Sequence, residues 1–146
     1  MQVSDVVLYE PGPGASLAGP EGALVRAVGT TTLRGRRQIG LFSEAYRLRA
    51  DEAATVTITV TPLQERGNPL SRLAASVLRL SGPTPIHLIF PGHAPRSLDA
   101  PWGQGVTVNL STLKPGRYQV TLDLNVPGQH ALSVTRTFTT DSTAHG

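Results

Sequence analysis

The chain has 146 residues, of which 39% are hydrophobic and 16% charged, and its formal net charge at pH 7 is +3. This length suits one domain with a sizeable core, and the apolar fraction is too high for a disordered tail. The absence of cysteine excludes disulfides and thiolate chemistry, and no apolar run approaches the ~18 residues of a membrane-spanning helix. We therefore predict a single domain over residues 1–146 without membrane insertion; the compartment stays open.

The N-terminal third predicts three short strands and one loop. Residues 5–9 (DVVLY), 23–28 (ALVRAV) and 39–48 carry apolar residues at strand spacing. Residues 10–22 (EPGPGASLAGPEG) are rich in proline and glycine. They predict a surface loop between the first two strands.

A basic stretch lies between residues 26 and 49, which contain six arginines and one glutamate. Its centre is predicted to be a hairpin turn around Gly35. The turn carries three arginines: Arg34, Arg36 and Arg37. Arg47 and Arg49 would share a face and align with the turn arginines across the hairpin. We interpret the turn as solvated surface, with docking of an acidic partner or nucleic acid as the alternative.

The strongest alternation of apolar and polar residues lies further along the chain. Residues 54–61 (ATVTITVT) alternate Val or Ile with Thr and predict a half-buried strand. Residues 106–110, 118–124 and 132–138 have the same period, and Pro127-Gly128 predicts a hairpin between the last two. Residues 85–91 (PIHLIFP) predict a short strand whose terminal prolines suit a sheet edge or a crossing between sheets.

Two further segments are less regular. Residues 70–80 (LSRLAASVLRL) fit both helical spacing and strand alternation. We favour a strand, because the surrounding segments are β and an isolated short helix needs a partner surface. Residues 140–146 predict a flexible tail.

The segment before the strand at residues 118–124 contains a four-residue signature. Its members are Leu113, Pro115, Gly116 and Tyr118. This Leu-x-Pro-Gly-x-Tyr string resembles the tyrosine corner of Greek-key sandwiches, in which the Tyr hydroxyl bonds to backbone a few residues upstream. We predict an all-β, antiparallel Greek-key β-sandwich of the immunoglobulin-like kind with about seven to nine strands. A jelly roll or a transthyretin-like arrangement is the alternative.

Three strings in this order resemble the C-terminal β-rich region of bacterial secreted proteins that carry a GWxTD domain. They are VSDVVLY near the start, RRQIGLFSEAYRL at residues 36–48, and LSTLKPGRYQVTLDL followed by SVTRTF at the end. The GWxTD motif itself is absent. The resemblance implies an accessory domain of an exported protein, in a secreted or periplasmic location if the chain is a fragment of one. It implies no activity for any residue.

Residues that could carry chemistry are few and scattered. His87, His93 and Asp99 are close in sequence, but a metal or nucleophile site needs at least three convergent groups with supporting partners. His87 alternates with apolar neighbours, which is typical of the polar face of a strand. We predict no enzyme activity, no cofactor and no metal.

Trp102, the only tryptophan, lies in DAPWGQG between two predicted strands. It closes the end of the core in our interpretation, and the alternative is a binding anchor for a sugar or a protein.

The sequence therefore predicts a non-enzymatic interaction or structural module that contacts a protein partner or a neighbouring domain. Two other functions are kept as alternatives: carbohydrate binding through Trp102, and binding of nucleic acid or an acidic partner through the Arg34 to Arg37 turn. The scarcity of aromatic residues beside the arginines argues against nucleic acid. The sequence leaves the oligomeric state open.

Overall fold

The structure is a computed structural model that describes residues 1–11, 22–24, 26–29, 32–33, 35, 37–63, 86–96 and 100–141. Within these ranges the chain forms nine strands. They are β1 (Gln2–Val3), β2 (Val7–Tyr9), β3 (Thr32–Leu33), β4 (Gln38–Tyr46), β5 (Ala53–Pro62), β6 (Ile86–His93), β7 (Trp102–Asn109), β8 (Gly116–Asn125) and β9 (Leu132–Thr140). The described residues include no helix long and apolar enough to cross a membrane.

The strands form two sheets. In the four-stranded sheet, β1 and β2 both pair with one side of β4, and β7 pairs with its other side. The five-stranded sheet has the order β3-β9-β8-β5-β6. All pairs are antiparallel except β3 with β9. This confirms the predicted all-β sandwich. Among the described strands β6 lies at the edge of its sheet, which is one of the two positions predicted for it.

The five-stranded sheet follows the alternation of the sequence. Ile58 of β5 lies between Leu122 of β8 and Leu88 of β6, and it is fully buried. The threonines of β5 point to the opposite face and are partly exposed. The predicted hairpin between β8 and β9 is confirmed: the Gln129 amide donates to the Val126 carbonyl at 3.1 Å, and Gly128 has φ 79°, which glycine adopts without a steric penalty.

The four-stranded sheet is buried on both faces of β4. Ile39 and Leu41 face the main core between the sheets. On the other face, the rings of Tyr9 and Phe42 pack with Ala23 in a second, smaller cluster. The Tyr9 ring lies directly on Gly40, where any Cβ would overlap three ring carbons. Glycine at this position is therefore what allows the second cluster to form.

The gap between β1 and β2 is bridged by hydrogen bonds of both backbone and side-chain groups. Between β1 and β2, the Ser4 amide donates to the Glu44 carbonyl at 2.8 Å, and the Glu44 amide donates to the Ser4 hydroxyl at 2.9 Å. From the opposite sheet, Arg136 donates to the Val6 carbonyl at 2.7 Å. Arg136 lies on the inner face of β9, between Val134 and Phe138, and is half-buried. This bond joins the two sheets at the gap.

Two predictions from the N-terminal half are wrong. Residues 23–28 do not form a strand: residues 22–24 form a helical turn, and Ala27 makes only an isolated bridge to Tyr9. β3 and β4, the strands on either side of residues 34–37, do not pair as a hairpin, because β3 pairs with β9 whereas β4 belongs to the other sheet. Both errors concern segments that pass from one part of the sandwich to another.

Several predictions lie outside the described residues. They concern residues 70–80, most of the loop at residues 10–22, and the tail after Asp141. β9 itself ends at Thr140, at the predicted start of that tail.

Candidate functional site

The predicted corner residues lie where the chain enters β8. The Tyr118 hydroxyl donates a hydrogen bond of 2.7 Å to the Lys114 carbonyl, four residues upstream. The Thr140 hydroxyl donates to the same carbonyl at 3.1 Å. The Tyr118 ring stacks on Phe138, with 5.8 Å between the ring centroids, and Leu113 packs against the core. Pro115 lies in the exposed bend before Gly116, the first residue of β8. This geometry is the one expected of a tyrosine corner.

Trp102 is the first residue of β7 and is half-buried against the main core. Its indole lies on Gly92 of β6, since a Cβ there would be 2.8 Å from Cζ2 of the tryptophan. The ring therefore spans from the edge of one sheet to the edge of the other. This packing favours the core-closing interpretation, because contact with Gly92 occupies surface that a sugar would need for stacking.

The described arginines on either side of β4 do not form one surface. Arg37 is exposed just before β4, and Arg47 and Arg49 are exposed after its end. A nine-residue strand separates the two groups by about 30 Å. Arg47 is also in a left-handed conformation, with φ 58°, and so does not continue the strand face. Arg34 and Arg36 lie outside the described residues, so their predicted alignment with Arg47 and Arg49 stays a prediction.

The two histidines near Asp99 are both exposed on the outer face of β6. Nδ1 of His87 lies 3.2 Å from the Thr59 hydroxyl of β5. His93 lies six residues further on, about 20 Å away in an extended strand, and borders a shallow apolar depression of about 360 Å³ that Pro91 and Pro127 also line. Asp99 is outside the described residues, among which no three His, Cys, Asp or Glu side chains converge.

Burial changes the acidity of two tyrosines. It raises the pKa of Tyr9, against the opposing effects of a hydrogen bond with the Thr107 side chain and of the Arg26 charge. Burial likewise raises the pKa of Tyr118, and its hydrogen bond to Lys114 opposes the change. Both hydroxyls hold neighbouring segments together in the neutral form.

The edge formed by β7 is a feature that the sequence interpretation missed. The Leu110 amide donates to the Arg37 carbonyl at 2.7 Å, one position beyond the β4–β7 ladder and in its register. Because bonded pairs alternate along an antiparallel ladder, the next bonded pairs are Ile39 with Val108 and Leu41 with Val106. The alternate residues of β7 turn their N–H and C=O groups away from β4: Gly103, Gly105, Thr107 and Asn109.

The edge formed by β6 differs from that of β7. There the Ala94 amide donates to the Glu52 carbonyl at 2.9 Å, so that His87, Ile89, Pro91 and His93 are the residues whose backbone faces outward by the same alternation. Pro91 has no N–H and interrupts the row of donors. Proline at an outward edge position prevents a further strand from pairing without weakening the existing ladder.

Within the part of the chain that the structure describes, β7 has no such protection. Its sequence, WGQGVTVN, contains neither proline nor a charged residue, and its outward row is exposed. Two of the four residues in that row are glycines, and the other two are uncharged. An uncharged eight-residue run without proline is the signal that could have identified this edge, but it requires knowing that β7 is an edge strand.

Comparison with known proteins gives little further information. No family model matches the chain, and no curated protein matches it. Among solved structures, the PmoD soluble domain from Methylocystis sp. ATCC 49242 (Rockwell) is similar with a TM-score of 0.44 and 13% sequence identity, over 95% of this chain and 90% of that one. The resemblance to GWxTD-domain proteins therefore stays a prediction.

Proposed function

We propose that this chain is a non-enzymatic immunoglobulin-like module that contacts a protein partner or a neighbouring domain, as part of a larger bacterial protein. The arrangement of the strands supports the immunoglobulin-like assignment. β4 pairs with β7, and β8 lies between β9 and β5, with β6 beyond. Immunoglobulin-like sandwiches pair strand B with E and order G, F, C and C′ in the same way.

The observation that carries the proposal is the use made of the polar side chains. Tyr118 and Arg136 bond to backbone carbonyls of distant segments. Glu52 accepts the Arg49 amide at 2.9 Å and the Gln129 side chain at 3.3 Å, which connects two loops at one end of the sandwich. These groups hold the framework together, which supports a role for the module in contacts made by its surface and its sheet edges.

Two alternatives lose support from the geometry. Carbohydrate binding through Trp102 needs an exposed indole, but that ring is half-buried against the core and in contact with Gly92. Nucleic-acid binding through the Arg34 to Arg37 turn needs a continuous basic surface, whereas Arg37 and Arg47 lie at opposite ends of β4.

Three binding measurements test the proposal against these alternatives. We expect the purified chain to retain a protein from its native source equally well as wild type and as Trp102→Ala. A glycan-array signal abolished by Trp102→Ala would instead establish the carbohydrate function. Binding to DNA or RNA that weakens steeply with salt and is lost in Arg36→Glu/Arg37→Glu would establish the nucleic-acid function.

A further inference from the structure

The free edge of β7 presents a row of backbone donors and acceptors that an extended chain can pair with. Among the described residues β7 pairs only with β4. The outward groups of Gly103, Gly105 and Thr107 belong to exposed residues. Edge strands of this length are normally protected by proline, charge or a covering segment, as β6 is by Pro91. An unprotected edge is a site for the addition of another strand.

We propose that β7 pairs antiparallel with β7 of a second copy of this chain, around a two-fold axis at Gly105. This deepens the proposed function, on which it rests, by naming the partner of one edge. In this register Gly105 faces Gly105, and Thr107 of each copy faces Gly103 of the other. The pairing would form about six backbone hydrogen bonds between the copies.

The composition of β7 favours a second copy as its occupant. Across a two-fold axis a strand meets its own sequence, so any charge near the centre would oppose a like charge. The run from Trp102 to Asn109 has none. On the outer face, Thr107 of each copy lies opposite Gly103 of the other, whose missing side chain leaves room for the Phe42 ring.

The pairing would also bury residues on the inner face of β7. Gln104 and Val106 point toward the open side of the sandwich and are only half-buried. In the proposed register each Gln104 lies beside Val106 of the other copy. Pairing would cover apolar surface that a single copy leaves partly exposed, and would extend the four-stranded sheet across the two copies.

The test is sedimentation velocity of the purified chain over a wide concentration range. We expect a reversible monomer–dimer equilibrium in the wild type. Gly105→Pro removes an N–H that points away from β4, so it should raise the dimer dissociation constant by roughly tenfold or more. The matched control Gly105→Ala keeps the N–H and should still dimerise. Ile89→Lys, on the edge strand β6, should leave the equilibrium unchanged.

Amide hydrogen exchange measured by NMR on the wild type tests the proposal even if Gly105→Pro fails to fold. The amides of Gly103, Gly105 and Thr107 should be protected only at concentrations where the dimer forms, whereas those of Gln104 and Val106 should be protected at all concentrations. A chain that is monomeric throughout, or a dimer insensitive to Gly105→Pro, overturns the inference. A monomer that binds a different protein overturns it too, but leaves the proposed function standing.

Discussion

The two sheets bury their apolar residues in different ways. In the five-stranded sheet, β5 and β8 alternate a buried and a partly exposed residue, so one face meets the core and the other meets water. In the four-stranded sheet, five consecutive residues of β4 are buried, because the Tyr9 and Phe42 rings cover its outer face. Alternation therefore reveals the burial of a strand only when one of its faces is solvated.

The second cluster gives the largest expected effect. Gly40→Ala would place a Cβ inside the Tyr9 ring, which must then leave its site above the sheet. We expect a loss of about 3 kcal/mol in the free energy of unfolding, measured by denaturant titration. Gly103→Ala on the same face is the control: its Cβ would lie 3.2 Å from Cζ of Phe42, a contact that a small shift relieves. Equal losses in the two variants would contradict the role given to Tyr9.

The hydrogen bond from Arg136 to the Val6 carbonyl gives the second largest expected effect. Arg136→Met keeps an unbranched, largely apolar chain but leaves the Val6 carbonyl without its charged donor. We expect a loss of about 2 kcal/mol, since hydrogen bonds from charged groups to partly buried acceptors are among the stronger ones. Arg117→Met, at an exposed position of β8, should change stability by less than about 0.5 kcal/mol. If both variants lose the same small amount, the two sheets do not depend on this bond.

The corner of the five-stranded sheet gives a smaller effect. Tyr118→Phe removes one hydroxyl and keeps the ring on Phe138, while Thr140 still donates to the Lys114 carbonyl. We expect denaturant midpoints to show a loss of about 1 kcal/mol with an unchanged fold. The double variant Tyr118→Phe/Thr140→Val should lose more than the sum of the single changes, because the carbonyl then has neither donor. A Tyr118→Phe effect of zero would remove the local support for a tyrosine corner.

The exposed arginine before β4 gives the smallest effect at neutral pH. Arg37→Glu should change stability by no more than about 0.5 kcal/mol, since the side chain is exposed and surface charges interact weakly. Thermal unfolding at low and at moderate salt would measure it. A large loss would mean that the side chain is needed for the crossing from β3 to β4.

The last prediction concerns stability at alkaline pH, where one buried tyrosine of each sheet loses its proton. Burial raises the pKa of Tyr9 and of Tyr118 above the ordinary value of 10.0. Above pH 10 the unfolded chain therefore loses these protons more readily than the folded one, so stability is full below pH 10 and falls as pH rises through the folded pKa values. Unfolding measured between pH 8 and 11 should show this fall, and Tyr9→Phe should make it shallower. A fall of equal steepness in Tyr9→Phe would contradict the contribution of that residue.

Much of the five-stranded sheet could be predicted because its signals are local. The alternation of β5, the Pro127-Gly128 turn and the spacing from Lys114 to Tyr118 each operate within a few residues. The edge position of β6 was one of two alternatives predicted for the same reason, since proline restricts its own strand.

The candidate edge of β7 could not be predicted in this way. The groups that could bind a further strand are backbone N–H and C=O groups, which every sequence has. They matter here because no described strand lies beyond β7. Trp102 was noticed for its size, yet only its contact with Gly92 of the other sheet indicates that it closes the core.

By itself, the sequence determined that this chain is a β-sandwich, where most of its strands lie, and how Tyr118 fixes the start of β8. Only the tertiary structure decided that β3 and β4 belong to different sheets, that Arg136 points inward to Val6, and that β7 is an edge strand among the described residues. The physical reason is the distance along the chain between the partners. A turn or an alternating strand is specified by neighbouring residues, whereas sheet membership and register depend on contacts between distant segments, such as Val6 and Arg136, which are 130 residues apart.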